Sequence, residues 1–205
     1  SIQIFLKQDR LWRKTRSNTK STTCKGVDAN RNFPFHWKEG RENNAVPCEE
    51  IYPGDTAESE PCIKHFINYV SSIAKTKRIV GYISFHSYGK YWLVPYAYTT
   101  NKVPNYAELM DIAKTGAAAL KQVRGTQYGI GIPGNVVYAA SGSSMDWAYG
   151  AAKIPYVFTL ELPPGSHDSW ANGFLLSATQ IKPVSEETFV GIMATADAIN
   201  KKLKK

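Results

Sequence analysis

The chain has 205 residues, 43% hydrophobic and 12% aromatic, enough to bury one core as a single domain over 1–205. It contains no run of 18 apolar residues, which excludes a helical membrane span, so no membrane partner is expected. The net charge of +8 sits at the ends: outside 1–31 and the last five residues, the body at 32–200 carries 13 basic against 15 acidic side chains, a poor footprint for nucleic acid.

The chain opens Ser1-Ile2-Gln3-Ile4-Phe5 without a Met or a basic-then-apolar leader, as a processed or truncated product would. The opening apolar–polar alternation gives way to a basic, Ser/Thr-rich run over 13–21 that reads as an exposed loop. Residues 33–57 form a long irregular connection rich in Pro, Gly and Asn, with Trp37 and Tyr52 as anchors. Loops of this length are usually functional or tied by a disulfide. Cys24 and Cys48 bracket the polar, turn-rich stretch. Three cysteines without Cys-x-x-Cys spacing leave two states open, a Cys24–Cys48 bridge in an oxidising compartment or three reduced thiols.

Pro61 behind Glu58 and Glu60 starts a helix carrying Ile63, Phe66, Ile67, Val70 and Ile73 at helical spacing and ending near Lys75. Residues 78–86 are β-branched and aromatic without helical period and predict a buried strand ending at His86. A second strand is expected at 92–98, followed by a helix from Asn105 or Tyr106 to Gly125 whose Leu109, Ile112, Gly116, Leu120 and Val123 share a face. The Gly-rich 126–142 reads as irregular, with a short helix from Ser144 capped by Ser143 or Ser144. Residues 156–162 predict a strand. Ser185-Glu186-Glu187 is expected to cap a last helix turning Phe189, Ile192, Met193, Ala196, Ile199 and Leu203 to the core. Alternating helices and strands argue for an α/β fold, a mixed sheet with helices on both faces.

Chemistry concentrates in four places. Asn30-Arg31 sets a carboxamide beside a guanidinium, a pair able to grip a carboxylate through parallel hydrogen bonds, although an isolated Asn-Arg is by default a turn and a solvated charge. His86 ends an apolar strand, Glu161 lies within another, and Tyr138 sits in the Gly-rich loop. A carboxylate in so apolar a strand must be paired or coordinated, and strand ends in open α/β sheets border the ligand crevice.

Five motifs then fall in one order: Arg10-Leu11-Trp12-Arg13-Lys14-Thr15-Arg16; Gly26-Val27-Asp28-Ala29-Asn30-Arg31-Asn32-Phe33; Ser84-Phe85-His86-Ser87-Tyr88; Tyr138-Ala139-Ala140-Ser141-Gly142 with Asp146-Trp147; and Phe158-Thr159-Leu160-Glu161-Leu162. In that order the chain resembles zinc metallocarboxypeptidases of the pancreatic A/B type from Arg10 to the last helix. The resemblance implies a mostly parallel central sheet sandwiched by helices, incomplete at its N-terminal side, and a zinc-dependent exopeptidase that removes one C-terminal residue. It implies that Asn30 and Arg31 hold the substrate's terminal carboxylate and that Tyr138 closes over it. Arg13 matches the arginine that stabilises the tetrahedral oxyanion, and Glu161 the base that activates zinc-bound water. His86 matches one zinc ligand, Asp28 the carboxylate that orients another ligand histidine, and Tyr88 a wall of the adjoining subsite. Met145 falls where basic-selective members are acidic and so resembles an A-type pocket for aromatic or aliphatic residues, with Thr159 and Ala140 as neutral walls. The segment 150–155 is longer than the usual pattern, which leaves room for a second acidic residue to reach in. The resemblance also favours the Cys24–Cys48 disulfide, an unpaired Cys62 and a secreted protein.

The His-x-x-Glu motif that supplies two of the three zinc ligands has no counterpart here. His36, His65 and His167 have no partner at zinc spacing. Three readings follow: part of an exopeptidase acting on peptide C-termini, completed by a missing N-terminal segment or another chain; a zinc-free homologue that binds peptide C-terminal carboxylates; and a structural or polyanion-binding domain.

Overall fold

The computed structural model describes residues 9–165 and 169–204. The expected alternation over 1–8 and the loop histidine His167 lie outside those residues. Four strands, β1 (Gly81–Ser87), β2 (Tyr91–Leu93), β3 (Gly129–Gly131) and β4 (Tyr156–Leu162), form one mixed sheet in the order β1-β4-β2-β3. β1 runs parallel to β4 and β2 parallel to β3, while β2 and β4 are antiparallel. Because side chains alternate along a strand, the register divides the sheet cleanly. Trp92, Phe158 and Leu160 enter one core with α2 (Tyr106–Arg124) and α6 (Ile181–Leu203), and Leu93 and Val157 enter the other with α1 (Pro61–Ala74), Phe33, Met145 and Trp147. Among the described residues there are also short α-helical turns, α3 (Pro133–Val136), α4 (Ser144–Asp146) and α5 (Trp170–Gly173), besides 3-10 and π turns.

Local chemistry explains the element boundaries. Pro61 opens α1, where a missing N–H costs nothing. Gly125, in the left-handed conformation at φ +79°, closes α2 by donating its N–H to the Lys121 carbonyl. Ser143 caps α4, its Oγ accepting from the Asp146 N–H at 3.2 Å. The long connection is anchored as expected: Tyr52 is buried, and Trp37 Nε1 donates to the Pro53 carbonyl at 3.2 Å. Asn32, fully buried, ties the start of that connection to its end. Its Nδ2 donates to the Pro53 and Thr56 carbonyls at 2.8 and 3.0 Å, and its Oδ1 accepts from the Glu60 N–H at 3.1 Å. Cys24 and Cys48 are joined, and Cys62 is a free, exposed thiol.

Several expectations are corrected. The strand read as buried, β1, is an edge strand with alternating exposure, and Phe85 is half exposed. Among the described residues nothing pairs with its outer side. The strand expected over 92–98 stops at Leu93, because the Ala97 and Tyr98 N–H groups turn to the buried Asp146 carboxylate, at 2.7 and 3.0 Å, instead of a neighbouring strand. Within the irregular 126–142 lie β3 and α3. Val123 is exposed at the end of α2.

The last helix starts at Ile181, ahead of the Ser185-Glu186-Glu187 expected to cap it, and it is rotated. Val184, Thr188, Gly191 and Thr195 face inward, while Phe189 and Met193 are exposed at 62% and 47%. The cause is close approach to α2. A Cβ on Gly116 would lie 2.3 Å from Thr195 Oγ1 and 2.6 Å from the Trp92 ring, and one on Gly191 would lie 3.1 Å from the Gly116 carbonyl oxygen. Two glycines and a threonine let the helices touch; larger side chains on that line would hold them apart.

Candidate active site

At the carboxyl ends of β1 and β4, the register places His86 opposite Glu161 and Ser84 opposite Thr159. Ser84 and Thr159 hydroxyls hydrogen-bond at 2.7 Å. The cavity of about 330 Å³ above this row is lined by Arg13, Asn30, Arg31, His86, Tyr88, Tyr138, Met145 and Glu161, side chains brought from five separate stretches of sequence. Of the candidate residues only Asp28 lies behind its wall. A larger depression of about 760 Å³, around Lys90, Arg124 and Glu187, contains none of them.

Asn30 and Arg31 lie in a 3-10 turn over Ala29–Arg31, initiated by Asp28 Oδ1 accepting from the Asn30 N–H at 3.0 Å. Asn30 Oδ1 accepts from the Ser144 N–H at 2.9 Å, which fixes the carboxamide and leaves Nδ2 as a donor at the cavity. Arg31 is the opposite of a solvated surface charge: it is 3% exposed. Its Nε donates to Glu42 Oε1 at 3.2 Å and its Nη1 to the Asn30 carbonyl at 2.9 Å. Nη2 has no hydrogen bond among the described residues. The loop bearing Tyr138 is docked on this turn, with the Phe33 N–H donating to the Gly142 carbonyl at 3.1 Å. Gly142 sits at φ +67°, and a Cβ there would lie 2.3 Å from the Arg31 carbonyl oxygen, so this contact requires glycine. Tyr138 itself is half exposed, with the Arg41 guanidinium 4.5 Å over its ring.

Asp28 is buried and taken up by Arg13, whose Nε and Nη2 donate to its Oδ2 at 3.0 and 2.8 Å. Its partner among the described residues is thus an arginine. Burial pushes Glu161 up to about 7, with Arg13 and Arg31 pulling the other way, and its Oε2 is buried without a hydrogen-bond partner. Burial and the charges of Arg13 and Arg31 hold His86 down to about 4, against the pull of Asp28. At neutral pH the site therefore presents a neutral imidazole beside a carboxyl group poised between its two protonation states.

A neutral imidazole is a metal ligand in waiting. No group of three His, Cys, Asp or Glu side chains converges among the described residues, however. One histidine at the cavity, His86, falls short of a two-histidine, one-glutamate ligand set, so the described residues do not by themselves hold zinc.

Some of the cavity wall was not singled out from sequence. Glu50 and Ile51 at its edge, and Phe174, whose ring meets Tyr88 edge-on at 4.8 Å, come from loops without a pattern. A π-helical turn, Trp147–Ala151, runs into the segment 150–155, and in it Gly150 packs on the Phe35 ring. The buried carboxylate behind this region, Asp146, is spent on backbone N–H groups.

The zinc carboxypeptidase family model (peptidase M14) matches residues 2–191. The chain is 40% identical over 192 residues to carboxypeptidase B of Astacus astacus, covering 93% of this chain and 61% of that protein. It is 42% identical over 186 residues to carboxypeptidase A1 of Bos taurus, covering 91% of this chain and 42% of that protein. Among solved structures, carboxypeptidase A from Helicoverpa armigera superposes with a TM-score of 0.88 at 31% identity, over 98% of this chain and 49% of the other. Bovine thrombin-activatable fibrinolysis inhibitor, in complex with tick carboxypeptidase inhibitor, superposes with a TM-score of 0.86 at 35% identity, over 97% and 65%. The chain spans about half the length of the curated relatives it matches, and those relatives include both A and B types. By sequence and by fold, it belongs to the zinc carboxypeptidase family.

Proposed function

We propose that this chain forms the terminal-residue pocket and the acid–base group of an exopeptidase that removes a single aromatic or aliphatic residue from peptide C-termini. The observation that carries the proposal is the convergence of Asn30, Arg31, Tyr138 and Glu161 on one cavity. The substrate carboxylate lies between Asn30 Nδ2 and the free edge of Arg31, and the Tyr138 hydroxyl closes on it. The terminal side chain enters between Leu93, Ala97, Ala140 and the buried Met145, all lining the same cavity. An unpaired ammonium there would lose its hydration without return. Glu161 takes a proton from the attacking water and hands it to the leaving amine, for which a proton affinity near neutrality is well matched. Arg13, one edge of which is held by Asp28, offers its remaining Nη1 to the developing oxyanion.

Zinc, with His86 as one ligand and the others from outside the described residues, would supply Lewis-acid polarisation. The open side of β1, with Phe85 exposed, suits a further segment or second chain that completes the sheet. The Cys24–Cys48 bridge suits secretion.

A second reading, a zinc-free receptor for peptide C-termini, draws support from the completeness of the carboxylate site beside a lone ligand histidine. Elemental analysis of the purified chain separates the two: near-stoichiometric zinc would overturn the receptor reading. Binding of acetyl-Ala-Phe, its C-terminal amide and acetyl-Ala-Lys tests the pocket. The proposal expects the Phe acid to bind best. Equal binding of acid and amide would reject the carboxylate site, and preference for Lys would reject the A-type assignment in favour of an acidic contribution such as Glu50.

A further inference from the structure

Behind Arg31, on the side away from the cavity, lies a carboxylate that the proposed chemistry does not use. Glu42 belongs to the 3-10 turn Gly40–Asn44 and is 1% exposed. One oxygen, Oε1, accepts from Arg31 Nε at 3.2 Å, and the other, Oε2, accepts from Ser141 Oγ at 3.1 Å. Ser141 is itself buried and sits three residues after Tyr138, in the loop docked on the Asn30-Arg31 turn. Arg41, next to Glu42, lies between that carboxylate and Tyr138: its Nε is 3.8 Å from Glu42 Oε1 and its guanidinium covers the Tyr138 ring.

From this bridge we infer that Glu42 is a positioning residue for recognition of the substrate's terminal carboxylate: it fixes the Arg31 guanidinium and the Tyr138 loop in one arrangement before a peptide arrives. The inference rests on the carboxylate-binding reading given above. Its physical basis is the shape of the guanidinium. Arg presents five N–H donors in a rigid planar fork. Glu42 takes the Nε end and the Asn30 carbonyl takes one Nη1 hydrogen, which leaves the Nη2 side for a ligand. A guanidinium held this way does not have to be ordered on binding, so the ordering cost is met in folding rather than subtracted from affinity. The charge balance favours the same arrangement. A buried arginine needs a counter-charge, and Asp28 Oδ2, 3.9 Å from Arg31 Nη1, is already engaged by Arg13. Glu42 also joins three stretches distant in sequence, the turn at 29–31, its own turn and the loop after Tyr138, so its loss loosens the receptor at its hinge and leaves its donors intact.

The test measures binding of acetyl-Ala-Phe and of its C-terminal amide to the full chain by calorimetric titration, in wild type, Glu42→Ala, Glu42→Gln, Ser141→Ala and, as control, Arg31→Ala. Glu42→Ala is expected to weaken the acid about tenfold while moving the amide less than about twofold, since only the acid uses the guanidinium. Glu42→Gln, which keeps an acceptor for Nε but loses the counter-charge, is expected to recover part of that loss and to weaken the acid less than Glu42→Ala does. Ser141→Ala, which removes only the second anchor, should lower the acid-to-amide ratio by a smaller factor. A folded Glu42→Ala that retains the wild-type ratio overturns the inference, as does Glu42→Gln failing as badly as Glu42→Ala. Should Glu42→Ala not fold, an unchanged ratio in Ser141→Ala overturns it. If the wild type binds acid and amide alike, the carboxylate reading falls and this inference falls with it. If the wild type discriminates and Arg31→Ala does not, the carboxylate reading stands whatever Glu42 does.

Discussion

Removing the disulfide should separate the stability of the chain from the shape of its candidate carboxylate site. Cys24 and Cys48 are 24 residues apart and close a loop that contains Asn30, Arg31 and Glu42. Cross-linking a loop of that size removes conformational entropy from the unfolded chain worth about 3.5 kcal/mol. The folded loop does not depend on the bridge for its position. Thr15 N–H donates to the Val27 carbonyl at 2.9 Å, Gly26 N–H to Ser17 at 2.9 Å and Asp28 N–H to Tyr52 at 2.8 Å, and the buried Lys14 holds the Pro47 carbonyl at 2.6 Å. The double substitution Cys24→Ser, Cys48→Ser is therefore expected to lower unfolding stability by about 3 kcal/mol in urea titration, with affinity for a free-acid peptide kept within about twofold at low denaturant. A loss below about 1 kcal/mol at unchanged m would refute the entropic reasoning. Lost affinity in a chain that remains folded would show that the bridge itself shapes the receptor.

Asn32→Ala strips partners from the Pro53 and Thr56 carbonyls and the Glu60 N–H at a fully buried position. It should cost about 3 kcal/mol or more in the same titration, and a cost under about 1 kcal/mol would mean that water replaces the amide. Asp146 predicts a pH dependence. Burial raises its carboxyl to about 7 against the pull of the Ala97 and Tyr98 N–H groups, so the folded chain binds this proton more tightly than the unfolded one. Its contribution is full below the ordinary carboxylate range and is lost as pH rises through about 7. Glu161 acts in the same direction, while His86, held down to about 4, acts in the opposite one. The diagnostic is thus the difference between wild type and Asp146→Asn: the variant should show a smaller fall in urea midpoint between pH 5 and 7.5, and parallel curves would reject the assignment. Glu161→Gln in the complete enzyme should abolish turnover and leave peptide binding within about threefold, since a carboxamide cannot take the proton. Retained turnover would remove Glu161 from the base role.

The elements that could be read along the chain are those whose causes are local. Pro61 and Gly125 mark helix ends because one lacks an N–H and the other tolerates φ +79°. The strand at 156–162 is legible because β-branched and aromatic side chains buried on both faces leave an apolar run. His86 and Glu161 stand out as polar groups in such runs. Local reading fails where a distant partner outbids the local preference. The strand expected to continue through Ala97 ends because Asp146, nearly fifty residues away, offers its N–H groups better acceptors. The last helix carries a convincing apolar stripe over Phe189 and Met193, yet turns its small face inward, because only Gly191 and Thr195 allow it to reach Gly116.

The candidate site divides in the same way. The motifs around Asn30, Arg31, Tyr138 and Glu161 are written in the sequence, since each is a fixed set of residue types in a fixed order and family membership follows from them. Glu42 belongs to no motif, and in the sequence it is one acidic residue in a polar loop. That it is buried between Arg31 and Ser141, that Arg31 is a buried donor and not a surface charge, and that Asp28 is held by Arg13 were decided only when the chain folded. The sequence by itself determined which chemical groups the protein possesses. The tertiary structure determined which of them lost their water and, having lost it, had to find one another.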